Sequence, residues 1–378
     1  MDSRQFVYFP SVDTLRGFAA LSVVVYHVIS LWNWQAFPND GPLAWFRIGW
    51  LGVDLFFVIS GFVIGLSAFA EIDHSGPRGF RAPFWRRRVA RIVPLHYLTC
   101  LVFVALLSPR PLTSEIWPNL LAHALFIHNL FPAWLSAING PNWSLGAEMQ
   151  FYDLVLLIAP WARVSRWWIA PLTLIGVSWC WRFGAFHFHA PVDPNEPFSL
   201  WMLTTQLPGT LDEFAAGLLL ARFVRSERGA CFLAAMERHR TLVLGAAILA
   251  GIMFSLCLAL YHASSSFWIS AATVTFIRTP LAAAGALLVL ISCSLNGVTW
   301  LRFSTPFRYL GTISYGIYLW QWSVLLLLLR AGKTSAETGL LLTVGITVSI
   351  AAVSWHFFEK PLLKHFGRKK RRDVLPVT

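Results

Sequence analysis

Long apolar runs separated by short basic stretches dominate the chain. Runs of crossing length lie near 12–32, 48–70, 92–108, 144–160, 167–183, 206–224, 241–261, 267–292, 309–329 and 338–357. A helix that spans hydrocarbon needs about 20 apolar residues, and in lipid only a helix or a closed barrel satisfies its own backbone. The pattern therefore predicts an all-α, polytopic transmembrane bundle of about ten spans. The stretch Trp117 to Phe131 (WPNLLAHALFIHNLF) is marginal in length and is expected to lie as an interfacial or re-entrant helix.

Charge sets the orientation. The connection 71–91 carries Arg78, Arg81, Arg86, Arg87, Arg88 and Arg91, and the end of the chain carries Lys360, Lys364, Arg368, Lys369, Lys370, Arg371 and Arg372. The positive-inside bias puts both in the cytoplasm, and the alternation continues through Arg163, Arg166, Arg222, Arg225, Arg302 and Arg308 only if Trp117–Phe131 does not cross. Both termini are then cytoplasmic. The expected organisation is a transmembrane domain over 1–360 and a basic tail over 361–378. The longest outer loop is expected at Arg182 to Ser199 (RFGAFHFHAPVDPNEPFS), as a cap over a site or as a plain connector.

Composition agrees with this class. Hydrophobic residues make up 56% and charged residues 13%, with a mean hydropathy of +0.59, more apolar surface than a soluble domain of this size can hide. The net charge of +12 does not imply nucleic acid, because the cations fall between apolar segments and form no single basic face. The odd, scattered set of five cysteines implies neither a disulfide framework nor a metal motif. The first apolar segment carries Arg16 and His27 and is not followed by a small-residue cleavage site, so it is expected to be a retained span.

Those two residues are the most informative pair. Eleven helical steps return to within about 20° of one direction, so Arg16 and His27 share a face roughly 16 Å apart along the axis. Ionisable groups in hydrocarbon need a cavity, a counter-charge or a ligand. By the same arithmetic His27, Asp54 and Glu148 lie at a similar depth in the outer half of the layer. A histidine beside a carboxylate is the minimal apparatus for taking a proton from a hydroxyl, although Asp54 and Glu148 are equally suited to capping backbone or pairing with an arginine. Arg87 and Arg88 precede Arg91 by about one turn in FWRRRVAR, a spacing that suits a phosphate and equally suits anionic lipid. Asp212, Glu213 and Arg278 are further intramembrane charges, and sign alone pairs Arg278 with Asp212. No His and carboxylate spacing matches a metal-ligand pattern, so no metal is expected. A proton-coupled transporter or flippase built on Arg16, His27 and Glu148 is the competing class; the absence of matching halves counts against inverted repeats.

Five segments, in order, resemble the acyltransferase 3 family of integral membrane O-acyltransferases. VDTLRGFAALSVVVYH is similar to its first-helix Arg-x10-His motif, GVDLFFVISGFVI to its second helix and FWRRRVARIVPLHY to its basic motif. NWSLGAEMQFY is similar to its Trp-Ser-x3-Glu segment, and FRYLGTISYGIYLW with FFEKPL to its last helices. The resemblance implies a ten-span protein of the bacterial cytoplasmic membrane, using cytoplasmic acetyl-CoA as co-substrate. The acceptor would be an exopolysaccharide or lipid-linked sugar, with membrane lipids and no nucleic acid as further partners. It implies essential roles for Arg16 and His27, with His27 as general base, and acyl-CoA binding by Arg88 and Arg91; beside it, the residues themselves offer Glu148 and Asp54 as carboxylate partners of the imidazole, Arg16 as a further phosphate ligand, and Trp143, Ser144 and Tyr315 as acceptor contacts. Longer members carry an added hydrolase-like domain, and the transmembrane core is expected to act here by itself. Two positions depart from the family pattern: Gln321 stands after Trp320 where Leu-Trp-His is common, and no arginine stands near Thr210.

Overall fold

The computed structural model describes residues 8–107, 116–189, 197–263, 267–295, 302–332 and 334–367. The helices are α1 (Val12–Leu31), α2 (Leu51–Gly79), α3 (Arg81–Leu107), α4 (Ile116–Ala124), α5 (Trp143–Val164), α6 (Ile169–His189), α7 (Phe198–Thr205) and α8 (Leu207–Val224). There follow α9 (Glu227–Arg238), α10 (Arg240–Ala263), α11 (Ala271–Phe276), α12 (Arg278–Ser294), α13 (Thr305–Thr312), α14 (Ser314–Ala331), α15 (Ala336–Ser354) and α16 (Lys360–Gly367). Among the described residues there is no strand.

Among the described residues seven helical segments are long and apolar enough to cross a membrane, and α13 with α14, bent by 70° at their junction, pass the same test only when taken together, as a broken span or a re-entrant loop. The two remaining expected spans form helices too, α5 with 22 residues and α8 with 18. They carry Glu148, Asp153 and Arg163, and Asp212, Glu213 and Arg222, and this polar load separates them from the other eight. All ten expected runs are thus helical, although fewer than ten are apolar enough to count as spans on their own. The marginal stretch after Trp117 folds as α4, nine residues, or about 13 Å of rise, too short to cross. The tail begins inside α16, and 368–378 lie outside the described residues.

α2 is the axis of the bundle and packs against α1, α3, α5, α8 and α12. Two glycines make its closest contact. A Cβ on Gly61 would run into the Phe214 carbonyl of α8, and one on Gly217 into the Val58 carbonyl of α2. In lipid, where apolar burial does not drive helices together, such small residues allow the backbones to approach and dispersion to hold them. The same device joins α1 to α13 through Gly17 and Gly311. Near its C-terminal end α2 kinks at Gly76, whose φ of 76° only glycine adopts readily, and Pro77 follows.

Buried charge ties the bundle, in pairs that differ from the sequence expectation. Arg182 does not sit in an outer loop: α6 continues to His189, and the fully buried Arg182 grips Asp212 bidentately, Nη1 to Oδ1 at 3.2 Å and Nη2 to Oδ2 at 2.7 Å. Asp212 also accepts from Thr279 Oγ1 at 2.7 Å. Arg278 therefore pairs with other carboxylates, its Nη1 reaching Asp54 Oδ1 at 3.1 Å and Glu213 Oε1 at 2.9 Å. Of the expected loop, 190–196 lie outside the described residues. Toward the Gly79 end of α2, Asp73 holds Arg163 at 2.9 Å and Arg225 at 2.8 Å, pinning α2, α5 and α8.

Candidate active site

Two cavities lie along the bundle. The first, about 640 Å³, is walled by α1, α2, α3, α5 and α14, and its lining includes Arg16, Arg87, Arg88, Arg91, Glu148 and Tyr315. Four guanidiniums face two carboxylates, Glu148 and Glu71, so the cavity favours an anion. Arg87 is held by Glu71 at 2.8 Å and Arg16 by Asp13 at 3.5 Å. Arg88 stacks over Phe84 and Tyr152, 5.5 and 5.6 Å from the ring centroids, and its buried Nε has no hydrogen-bond partner among the described residues. Arg91 lies over Trp355 and Tyr315, at 5.0 and 5.8 Å. Aromatic faces hold a guanidinium by its quadrupole while leaving the donor edge open to a ligand.

Local backbone irregularities position Arg91. The break between α13 and α14 leaves carbonyls without helical partners, and Arg91 Nη2 donates to that of Thr312 at 3.3 Å. A single π-helical turn, Trp355–Glu359, swings Glu359 inward to meet Arg91 Nη1 at 3.4 Å. Such turns recur at functional sites because they re-aim one side chain of an otherwise regular helix. Glu148 also faces this cavity, accepting on Oε1 from Ser60 Oγ at 2.8 Å and Tyr152 OH at 2.5 Å. Its Oε2 has no hydrogen bond among the described residues.

The second cavity, about 550 Å³, carries His27 and Asp54 in its wall with Arg278 and the tryptophans Trp50, Trp143, Trp201, Trp268 and Trp322. Glu148 is not in it. The carboxylate expected beside the imidazole is replaced by an amide. Gln321 Nε2 donates to the Tyr318 carbonyl at 3.2 Å, which turns Oε1 toward His27 Nδ1, also at 3.2 Å. An amide oxygen only accepts, so Nδ1 carries the proton and Nε2 keeps its lone pair. Nε2 makes no hydrogen bond among the described residues, and the edge of Trp322, 5.0 Å away between centroids, fixes the ring plane. The half-buried imidazole thus lines the cavity with its Nδ1 engaged by Gln321.

The structure divides the sequence-derived residues between the cavities. It groups Arg16, Arg88, Arg91, Glu148, Ser144 and Tyr315 in the first and His27, Asp54 and Trp143 in the second. Tyr315 donates to the Ile92 carbonyl at 2.7 Å and stands on the arginine side, away from the imidazole. Asp54 is occupied by Arg278. Residues that sequence reasoning missed are Gln321 as partner of His27, Arg278 on the second cavity, and Tyr318 on both. The i, i+3, i+7 spacing of Tyr315, Tyr318 and Trp322, which puts them on one helix face, was the available signal. Beyond the cavities, His123 and His128 stack at 4.0 Å beside His96 in the middle of α3. Burial pushes His123 down to about 3 and His128 down to about 4, so both are neutral. Among the described residues no group of three or more His, Cys, Asp or Glu is placed to hold a metal ion.

Comparison with known proteins gives a family match over residues 9–359, to a model described as an acyltransferase domain. Among individual relatives, the acyltransferase MdmB of Streptomyces mycarofaciens is 30% identical over 58% of this chain and 58% of its own length. The putative peptidoglycan O-acetyltransferase YrhL of Bacillus subtilis is 27% identical over 97% of this chain and 57% of its own. The peptidoglycan O-acetyltransferase OatA of Listeria monocytogenes is 25% identical over 95% and 56%. The chain thus spans a little under three fifths of these relatives' length. No solved structure matches.

Proposed function

This chain belongs to the acyltransferase domain family, and from that premise we propose that it is a membrane O-acetyltransferase moving acetyl from acetyl-CoA to a sugar hydroxyl. The observation that carries the reading is the placement of an arginine-lined anion cavity and an imidazole-bearing cavity on two sides of one thin partition. Arg88 and Arg91, with Arg16 beside them, bind the phosphates of the donor from the cytoplasm. The thioester extends along α1 toward His27.

In the second cavity tryptophan faces suit the apolar faces of a pyranose, and Arg278 with Asp54 suits its hydroxyls. The acceptor is a glycan, an exopolysaccharide or lipid-linked sugar unit of the bacterial cytoplasmic membrane. The peptidoglycan in two relatives' names is a glycan of the same chemistry. His27 Nε2 takes the hydroxyl proton while the oxygen attacks the thioester carbon. The C–O bond forms, the C–S bond breaks, and the imidazolium returns its proton to the departing thiolate. Gln321 holds the Nδ1 proton throughout.

General base catalysis contributes about 10²- to 10⁴-fold, and His27→Ala is expected to lose that much acetyl transfer with membrane abundance unchanged. The assay is alkali-labile acetyl ester formed on glycan from radiolabelled acetyl-CoA in inverted membrane vesicles. Near-normal transfer by His27→Ala refutes the assignment. A partition between two cavities also suits a carrier; solute accumulation driven by a proton gradient without ester formation would establish that reading instead.

A further inference from the structure

The two cavities share two wall residues, Val53 and Tyr318. On α2, Leu51 and Asp54 face the second cavity and Phe56 and Ser60 the first, with Val53 on both. On α14 one face carries Tyr315 in the first, Tyr318 in both and Trp322 in the second, and on α5 the consecutive Trp143 and Ser144 lie on opposite sides. The partition is therefore a single layer of side chains. Both shared residues are buried, Val53 7% and Tyr318 6% exposed.

Its two halves differ in kind. The Tyr318 hydroxyl donates to the Pro141 carbonyl at 2.9 Å and lies 2.7 Å from Ser144 Oγ. The Phe56 ring stands edge-on to the Tyr318 ring, 6.1 Å between centroids. The phenol is thus a fixed post, because rotating it away breaks buried hydrogen bonds. Val53 offers only two methyl groups and no hydrogen bond, so its volume can change without disturbing a polar contact.

We propose that Val53, set against the anchored ring of Tyr318, is the acyl-size gauge of this protein: the acyl group must pass between them to come within reach of His27, and the width admits acetyl in preference to longer chains. This rests on the acyl-transfer reading above. Neither residue takes part in bond making; Val53 determines specificity and Tyr318 positions the opposing surface. One methylene in a fitted apolar pocket is worth about 10- to 200-fold in discrimination.

The test is a competition in inverted membrane vesicles among acetyl-, propionyl- and butyryl-CoA, scoring each acyl ester released from glycan by mild alkali. Val53→Ala removes both methyls and is expected to lower the acetyl-to-butyryl ratio by about tenfold or more. Val53→Ile adds one carbon, retains the packing of α2 if the alanine variant fails to accumulate, and is expected to raise the acetyl-to-propionyl ratio. Ratios within twofold of wild type in both variants, with wild-type transfer intact, overturn the gauge while leaving acyl transfer standing. A wild type that transfers none of the three acyl groups overturns the acyl-transfer reading, and the gauge with it.

Discussion

Replacing Gln321 by leucine isolates the amide that takes the place of a carboxylate. The variant keeps side-chain bulk but removes the oxygen that accepts from His27 Nδ1 at 3.2 Å and the amino group that donates to the Tyr318 carbonyl. A neutral hydrogen bond is worth about 0.5–1.5 kcal/mol net, which at about 1.36 kcal/mol per tenfold predicts a drop in kcat of roughly 2- to 13-fold. Gln321 is fully buried and lies outside the arginine cavity, so KM for acetyl-CoA is expected to stay put. The decisive measurement is a double-mutant cycle on initial rates of ester formation. If the amide acts only through the imidazole, His27→Ala with Gln321→Leu is no slower than His27→Ala alone, since groups that act as a unit are non-additive. Two losses that multiply, or a raised KM with kcat intact, would refute the assignment of Gln321 as the orienting partner.

Two further outcomes concern the scaffold. Arg182→Leu leaves Asp212 buried without its bidentate partner and is expected to cost about 3–5 kcal/mol, whereas the pair Arg182→Leu with Asp212→Leu recovers most of it, because two apolar groups need no solvation; thermal unfolding in detergent checks both, and a double variant as unstable as the single one refutes the pairing argument. His123 and His128 have folded values below the usual 6.5, so below that pH the unfolded chain binds protons the folded one does not, and stability present at neutral pH is lost as pH falls toward about 4. At pH 5 the loss is about 2 kcal/mol for each imidazole, visible as lower hydrogen-exchange protection factors over 116–142 than at pH 7; unchanged protection would show that these rings are not buried in the folded protein.

The ten helical segments were legible because apolar length is a one-dimensional property. The shared face of Arg16 and His27 was legible for the same reason: 3.6 residues per turn fixes angles within a helix. Angles between helices are not written that way. Glu148 and His27 have similar depth in their own helices, yet α5 presents Glu148 to the arginine cavity and His27 looks into the other. The partner of Arg278 was missed because sign permits any of three carboxylates, and the continuation of α6 through Arg182 decides which one is already taken. Arg182 itself was misplaced because Pro191 and Pro194 mark a connector, and only packing shows that the helix persists up to His189. Gln321 was visible as a departure from the family pattern, but its role depends on a contact 294 residues away in sequence.

The guanidinium of Arg91 also has a history in time. Its partners arrive late: the Thr312 carbonyl comes with the last third of the chain, and Glu359 is 268 residues downstream. At the pace of synthesis, about 5–20 residues per second, that interval is roughly 13 to 54 s. For that period a nascent chain already made through α3 carries this cation without either of those two partners. The anion cavity is therefore completed only when the final turns dock, and a ribosome-bound chain lacks a finished site until its own assembly is over.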